Sequence, residues 1–221
     1  MKNVIITISR QFGSNGREIG RLLAEYLDIG YYNKEIMEVI AKDFGIDPDF
    51  FREENRNEDG MYSIAGRHTL SKITELSVNS EVYEKACDLI QGISQRESAV
   101  IVGRCADYIL RDNPNTIKVF IYSDIEDRIH WSIKEYSVPE RKARKIVQDK
   151  DGRRARFYEF YTGQKWGHGS NYDLMINSSR MKVKDIVEML AGFYDIKVGT
   201  QTLKGGYTNQ YIEHKNFTYT E

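Results

Sequence analysis

The sequence predicts an α/β fold in which a parallel sheet is covered by helices on both faces. Three observations predict it. Short continuous apolar runs rich in β-branched residues recur, NVIITIS, AVIVG and IKVFIY among them, and such runs suit strands buried on two sides. Between them lie longer stretches whose apolar residues fall three and four apart, the period of amphipathic helices. The two patterns alternate, which calls for parallel strands joined by helical crossovers. With 221 residues and 40% hydrophobic content, the chain is long enough for one sizeable core.

Each element follows from its residues. Val4 to Ile8 is the first strand, and after a glycine-bearing loop Ile19, Leu22, Leu23 and Tyr26 recur at helical spacing. A short apolar segment surrounds Tyr31 and Tyr32. A helix from about Lys34, carried by Ile36, Met37, Ile40 and Phe44, is stopped by Gly45 in the left-handed position. Asp47 to Gly60 reads DPDFFREENRNEDG, polar and acidic, and helical spacing resumes near Thr69 and runs through a helix from Glu81 to about Arg96, which predicts an inserted lobe. Then come a strand in Ala99 to Gly103, a helix through Leu110, a DNPN turn and a strand from Ile117 to Tyr122, with Asp124 positioned to cap the next helix. After Pro139 the cation-dense RKARKIVQDKDGRRAR (Arg141 to Arg156) leads into FYEFY. Tyr172 to Asn177 is the last strand, a helix spans about Val183 to Tyr194, and the tail from Thr200 has no period and reads as an appendage.

Charge and composition exclude several classes. Lys and Arg number 32 against 33 Asp and Glu, a formal net charge of −1, so no global attraction draws the chain to nucleic acid or an anionic membrane. Any anion site must be local. The N-terminal apolar run is too short for a secretion signal and no later stretch reaches a membrane span, so the expectation is a cytoplasmic protein with no membrane partner. Cys87 and Cys105 form no CxxC pair, and His68, His130, His168 and His214 lack ligand spacing, so neither a disulfide nor a zinc site is indicated.

Chemistry concentrates in ITISRQFGSNGREIG, Ile6 to Gly20, where a strand empties into a glycine loop and then a helix. The general phosphate loop, G-x-x-x-x-G-K-[ST], surrounds phosphate oxygens with backbone N–H groups and ends in a lysine and a magnesium-binding hydroxyl. Here Gln11 stands at the first glycine, Gly16 is the last, Arg17 replaces the lysine and Glu18 the hydroxyl residue. Gly13 and Gly16 still permit close backbone approach, and Arg17 can grip phosphate oxygens through two parallel hydrogen bonds. The residues alone allow a phosphate cradle or an ordinary tight turn. Glu18 helps hold magnesium or complements the helix dipole. Arg104, directly after a strand, binds a ligand at the carboxyl end of the sheet or is a solvated loop residue. The basic stretch is a solvated face or a nucleic-acid patch, and Phe157, Tyr158, Phe160, Tyr161 and Trp166 stack a base or pack a lid.

SRQFGSNGREIGRLLAEYL, YYNKEI, VIVGRCADYIL, DGRRARFYEFYTGQKW and NYDLMINSSR together resemble the cytidylate kinase-like family, a branch of the nucleoside-monophosphate kinase group of P-loop proteins. The resemblance runs over about residues 1 to 195 in the expected order. In that family the loop looks like G-S-x-G-R-E, so Arg17 and Glu18 belong to its pattern. The resemblance implies a five-stranded parallel sheet with an inserted acceptor lobe at about 45–80 and an arginine-rich lid at about 137–170, within a kinase-like domain over 1–199, followed by the appendage 200–221.

It also implies ATP and Mg2+ as cofactors and a small-molecule phosphate acceptor as partner. The nucleotide falls to Gly13, Ser14, Asn15, Gly16, Arg17 and Glu18, with Glu18 the one metal contact. Arg17, Arg104, Arg153 and Arg154 become the catalytic cations, and Asn33, Arg67, Arg104 and Asp107 the acceptor contacts. The family's lid carries D-K-x-R and paired aromatics, matched by Asp151, Arg154, Phe157 and Tyr158; Gly152 stands where the lysine would, with Lys150 and Arg153 beside it. Asn33 is a departure, because the family commonly shows Asp there. The expected function is ATP-dependent phosphoryl transfer to a small molecule, CMP or dCMP first. A non-catalytic nucleotide-binding regulatory module, a kinase of another metabolite, and RNA binding through Arg141 to Arg156 are the other readings, the last opposed by the acidic balance. Oligomeric state leaves no mark on the sequence.

Overall fold

The structure, a computed structural model, describes residues 3–33 and 71–199, the backbone alone for 71–82. Among the described residues, five strands form one sheet: β1 (Ile5–Arg10), β2 (Gly30–Tyr32), β3 (Ala99–Val102), β4 (Thr116–Tyr122) and β5 (Leu174–Asn177). Every pairing is parallel and the strand order is β2-β3-β1-β4-β5. The helices are α1 (Gly16–Leu27), α2 (Ser71–Arg96), α3 (Ala106–Ile109), α4 (Ile125–Tyr136), α5 (Glu140–Thr162) and α6 (Val183–Val198), with a 3-10 turn at Gly169–Asn171.

Both faces of the sheet are apolar because a parallel sheet with helical crossovers exposes neither face to water. Alternate side chains of one strand point to opposite faces. Ile5 and Ile101 pack against Leu89, Ile90 and Ile93 of α2 and against Phe157 and Tyr158 of α5. Ile6, Ile8, Val100 and Val102 pack on the other side against Ile19 and Leu23 of α1 and Ile186 and Leu190 of α6. Helix α1 lies close to the sheet because Gly20 has no side chain: a methyl there would stand 3.0 Å from Val102 and 3.2 Å from Ile8.

The strand order decides where a ligand can sit. From β1 the chain runs past β3 to the β2 edge, whereas from β3 it crosses β1 to reach β4. Neighbouring strands whose outgoing connections run in opposite directions leave a crevice at their carboxyl ends. Arg10 ends β1 there and Val102 ends β3.

Several expectations change in detail. The helix expected from Glu81 is part of one 26-residue helix that starts at Ser71. The helix toward Leu110 is a single turn, Ala106–Ile109. Asp124 occupies the N-cap of α4, but its carboxylate makes no cap; it accepts from Asn177 Nδ2 at 3.3 Å and Arg180 Nη2 at 3.1 Å, a charged partner that outcompetes the backbone amides. The helix from Lys34, most of the acceptor lobe including Arg67, and the appendage 200–221 lie outside the described residues.

Candidate functional site

The loop between β1 and α1 is held from outside by four segments, through backbone groups of one and side chains of the other three. Gln11, in place of the usual glycine, accepts the Ser123 N–H on Oε1 at 3.2 Å and donates its own N–H to Ile121 O at 3.0 Å. Ser14 is buried and its hydroxyl lies 2.9 Å from Gln11 O and 3.1 Å from Ile121 O, while Ser178 Oγ donates to Ser14 O at 2.9 Å. Gly13 has φ +80°, and a methyl on it would stand 2.6 Å from the Arg128 carbonyl oxygen, so both conformation and space demand glycine. Asn15 is left-handed, φ 61°, and turns the chain into α1.

The fourth tie comes from the basic helix. Asp151 Oδ1 accepts the Phe12 N–H at 2.7 Å, and its Oδ2 accepts from Arg128 Nη1, which also reaches Phe12 O at 3.4 Å. Arg128 is buried and Asp151 partly so, with side chains 8% and 16% exposed. The Phe12 amide is therefore spent on Asp151 and does not point at a ligand. Around the same ring, Lys150 Nζ lies 4.5 Å and the Arg154 guanidinium 5.6 Å from the Phe12 centroid, and Tyr136 packs at 5.1 Å.

A cavity of about 270 Å³ opens over this loop, lined by Gly13 through Arg17 and by Arg10, Asn33, Lys150 and Arg154. It adjoins a smaller one of about 50 Å³ whose lining includes Arg10, Arg104, Arg153, Arg154 and Trp166. The turn after β3 explains how Arg104 gets there. Gly103, Arg104 and Cys105 have φ of 81°, 60° and 55°, three left-handed residues in a row, two of them with side chains that disfavour it by about 1–2 kcal/mol each. Cys105 is buried in the core beside Ile101 and Leu110, which holds the turn. A third cavity of about 410 Å³ shares Asn15, Arg17 and Asn33 with the first and adds Tyr31 and Trp131.

Arg17, Arg104, Arg153 and Arg154 thus come from three elements and line two adjoining cavities. Asn33 is buried and lines the loop cavity with Arg17. Two residues expected at the site line neither the loop cavity nor the smaller one, although Glu18 lines the third with Arg17. Asp107 is buried beneath the site, accepting from Tyr158 OH at 2.7 Å and Ser9 Oγ at 3.2 Å. Burial pushes its carboxyl above the usual range, with those donors opposing, and burial followed by the Asp107 charge pushes the Tyr158 phenol up. Glu18 is forked by Arg21, whose Nη2 and Nε lie 2.8 and 3.1 Å from its two oxygens, and that hydrogen bonding holds its carboxyl below the usual range.

Reading the sequence missed Arg10, Phe12, Arg128 and Tyr136. Arg10 and Phe12 flank the loop inside SRQFG, where an arginine closing a buried strand was the available signal. Arg128 carried none, because its partner lies on another helix.

The basic helix divides its charges: Lys150, Asp151, Arg153 and Arg154 turn to the loop and cavities, whereas Arg141, Lys142, Arg144, Lys145 and Arg156 are exposed, with Arg144 pairing with Glu126 of α4. Among the described residues no group of three or more His, Cys, Asp or Glu could hold a metal, and no helix is long and apolar enough to cross a membrane.

A profile of the cytidylate kinase-like family matches residues 5–180, and the chain belongs to that family. Among solved structures, it is similar to an uncharacterized protein from Eubacterium ventriosum ATCC 27560, with 28% identity over 87% of this chain and 99% of that one and a TM-score of 0.68. Shikimate kinase from Acinetobacter baumannii in complex with shikimate aligns at 12% identity over 90% of this chain and 96% of that one, TM-score 0.48. Shikimate kinase from Bacteroides thetaiotaomicron aligns at 11% identity over 87% and 98%, TM-score 0.48. A search of curated proteins returned no match.

Proposed function

We propose that this member of the cytidylate kinase-like family transfers the γ-phosphoryl group of ATP to a small anionic acceptor, a nucleoside monophosphate with CMP or dCMP first. One observation carries the reading: guanidinium groups from the start of α1, the turn after β3 and the lid helix α5 line two adjoining cavities at the carboxyl ends of β1 and β3. In-line phosphoryl transfer asks little covalent chemistry of a protein. It asks that two anions be aligned and their charge neutralised.

The residues divide the work by position. The loop cavity takes the polyphosphate, with Arg17 and Lys150 beside it and the Gly13 turn allowing close backbone approach. The smaller cavity takes the acceptor's phosphate against Arg104 and Arg153. Its small volume, about 50 Å³, suits a phosphate group better than a whole nucleotide. Arg154 lines both. Asn33, uncharged where the family commonly carries Asp, faces the polyphosphate side with Arg17.

Magnesium fits these residues differently. Glu18 is held by Arg21, the Ser14 hydroxyl is engaged by two carbonyls, and the described residues offer no cage of acidic ligands. A magnesium ion bound with the nucleotide would be held chiefly by phosphate oxygens and would supply shielding of their charge, with Arg17 and Lys150 lining the same cavity.

A coupled ADP-release assay over a panel of nucleoside monophosphates and hydroxylated metabolites tests the proposal. Turnover with at least one acceptor, falling by about 10²-fold or more in Arg17→Ala, supports it. Nucleotide binding with no turnover on any acceptor supports a regulatory nucleotide-binding module instead.

A further inference from the structure

Arg10 belongs to no part of the loop pattern, yet among the described residues it is one of two cations that line both the loop cavity and the smaller one. It is the last residue of β1, in register with Ile121 of β4, so the sheet positions its backbone. Among the described residues, Arg10, Val102 and Arg154 line both the loop cavity and the smaller one. Val102 is apolar and Arg154 rides on the lid helix. Arg10 alone of the three is a cation built on the sheet.

Two glycines clear its path. A methyl at Gly16 would stand 2.6 Å from Arg10 Cβ and 2.9 Å from its Cγ. A methyl at Gly103 would stand 2.4 Å from Arg10 Nη1. The first glycine opens α1 and the second follows β3, so two segments distant in sequence omit a side chain where one arginine passes. The Arg10 carbonyl also accepts from Arg154 Nη1 at 3.1 Å, which joins the two shared guanidinium residues. Arg17, at the position where the general loop has its lysine, lines the loop cavity and the wide third cavity but not the smaller one.

We propose that Arg10 is a catalytic residue whose guanidinium contacts the phosphoryl group as it passes from the loop cavity to the smaller one. This rests on the kinase reading above. In the step, an oxygen of the acceptor's phosphate dianion forms a bond to the γ-phosphorus, and the bond from that phosphorus to the β–γ bridging oxygen breaks, its electron pair staying on the ADP. No proton is gained or lost when the acceptor is a monophosphate dianion. Negative charge accumulates between the cavities, where Arg10 stands, and a permanently charged guanidinium neutralises it without exchanging a proton.

The test compares the full-length wild type with Arg10→Ala, Arg10→Lys and Gly103→Ala, each checked by thermal melting. It measures kcat, the KM of each substrate, and calorimetric affinity for ADP and for a non-hydrolysable ATP analogue. Arg10→Ala is expected to lower kcat by about 10²–10³-fold and to erase the preference for the triphosphate analogue over ADP, with ADP affinity within threefold of wild type. Arg10→Lys, which keeps the charge and loses the fork, falls between. Gly103→Ala displaces the guanidinium and lowers kcat without removing any charge. Arg10→Ala with kcat within threefold of wild type, or equal loss of ADP and analogue affinity, overturns the proposal. Should wild type turn over no acceptor, the kinase reading fails by itself, and an unchanged analogue preference in Arg10→Ala or Arg10→Lys still overturns the contact between Arg10 and the outer phosphate.

Discussion

The loop after β1 and the turn after β3 stand side by side at the carboxyl edge of the sheet, and they are held by different physics. The loop is fixed by polar ties from Ser123, Ser178, Arg128 and Asp151. The turn is fixed by three consecutive left-handed residues and by burying Cys105 in the core. Polar ties are directional and fail one at a time, each with its own cost, whereas a strained turn wedged by packing keeps its shape until the core gives way. The loop cavity can therefore be loosened by single changes far from its lining, and the smaller cavity changes mainly through the side chains it presents.

Cutting the strongest tie gives the sharpest test of that contrast. Asp151→Ala leaves the buried Arg128 charge and the Phe12 amide without their shared acceptor, and losing one partner of a buried pair costs about 3–5 kcal/mol. Denaturant unfolding should register that loss, and calorimetry should show weaker ATP-analogue binding in the fraction that folds. On the opposite side, Arg104→Ala should raise the acceptor's KM by about 10-fold to 100-fold, the worth of a charged hydrogen bond of about 1.5–3 kcal/mol, and leave the KM for ATP within twofold. Equal effects on both substrates would erase the division between the cavities. Ser178→Ala removes one neutral donor from the Ser14 carbonyl and should cost about 1 kcal/mol, measured by chemical denaturation.

The smallest effect is a pH dependence beneath both regions. Burial raises the folded pKa of Asp107 above its unfolded value. Between those two values the folded state binds more protons than the unfolded one, so this group's contribution to stability is full below the unfolded pKa and is lost as pH rises through the folded one. Asp107→Asn, which cannot ionise, should therefore gain in melting temperature relative to wild type as pH is raised from 4 toward 7. A constant difference across that range would mean that the carboxyl titrates normally.

The scaffold was legible because it rests on periodic patterns. The two-sided burial of Ile5, Ile6, Ile8, Val100 and Ile101 reads directly from unbroken β-branched runs, and the glycine loop announces its own backbone. That Arg17, Arg104 and Arg154 line adjoining cavities followed from placing them in the loop after β1, in the turn after β3 and on the basic helix. What escaped depends on contacts between segments far apart in the chain. Asp124 looks like a cap until Arg180, 56 residues on, takes its carboxylate. Asp107 looks like a site residue until Tyr158 and Ser9 close over it. Asp151 could be matched to a lid motif, but nothing local shows that its partner is a backbone amide 139 residues earlier.

That last contact carries a consequence for how the sequence is free to drift. Because Asp151 grasps main chain rather than side chain, the tether survives replacement of Phe12 by any amino acid that keeps an amide hydrogen, and proline is the one type it forbids. Position 12 can then exchange its ring to suit whatever cations the neighbouring helix presents, while the mooring beneath it is inherited unchanged.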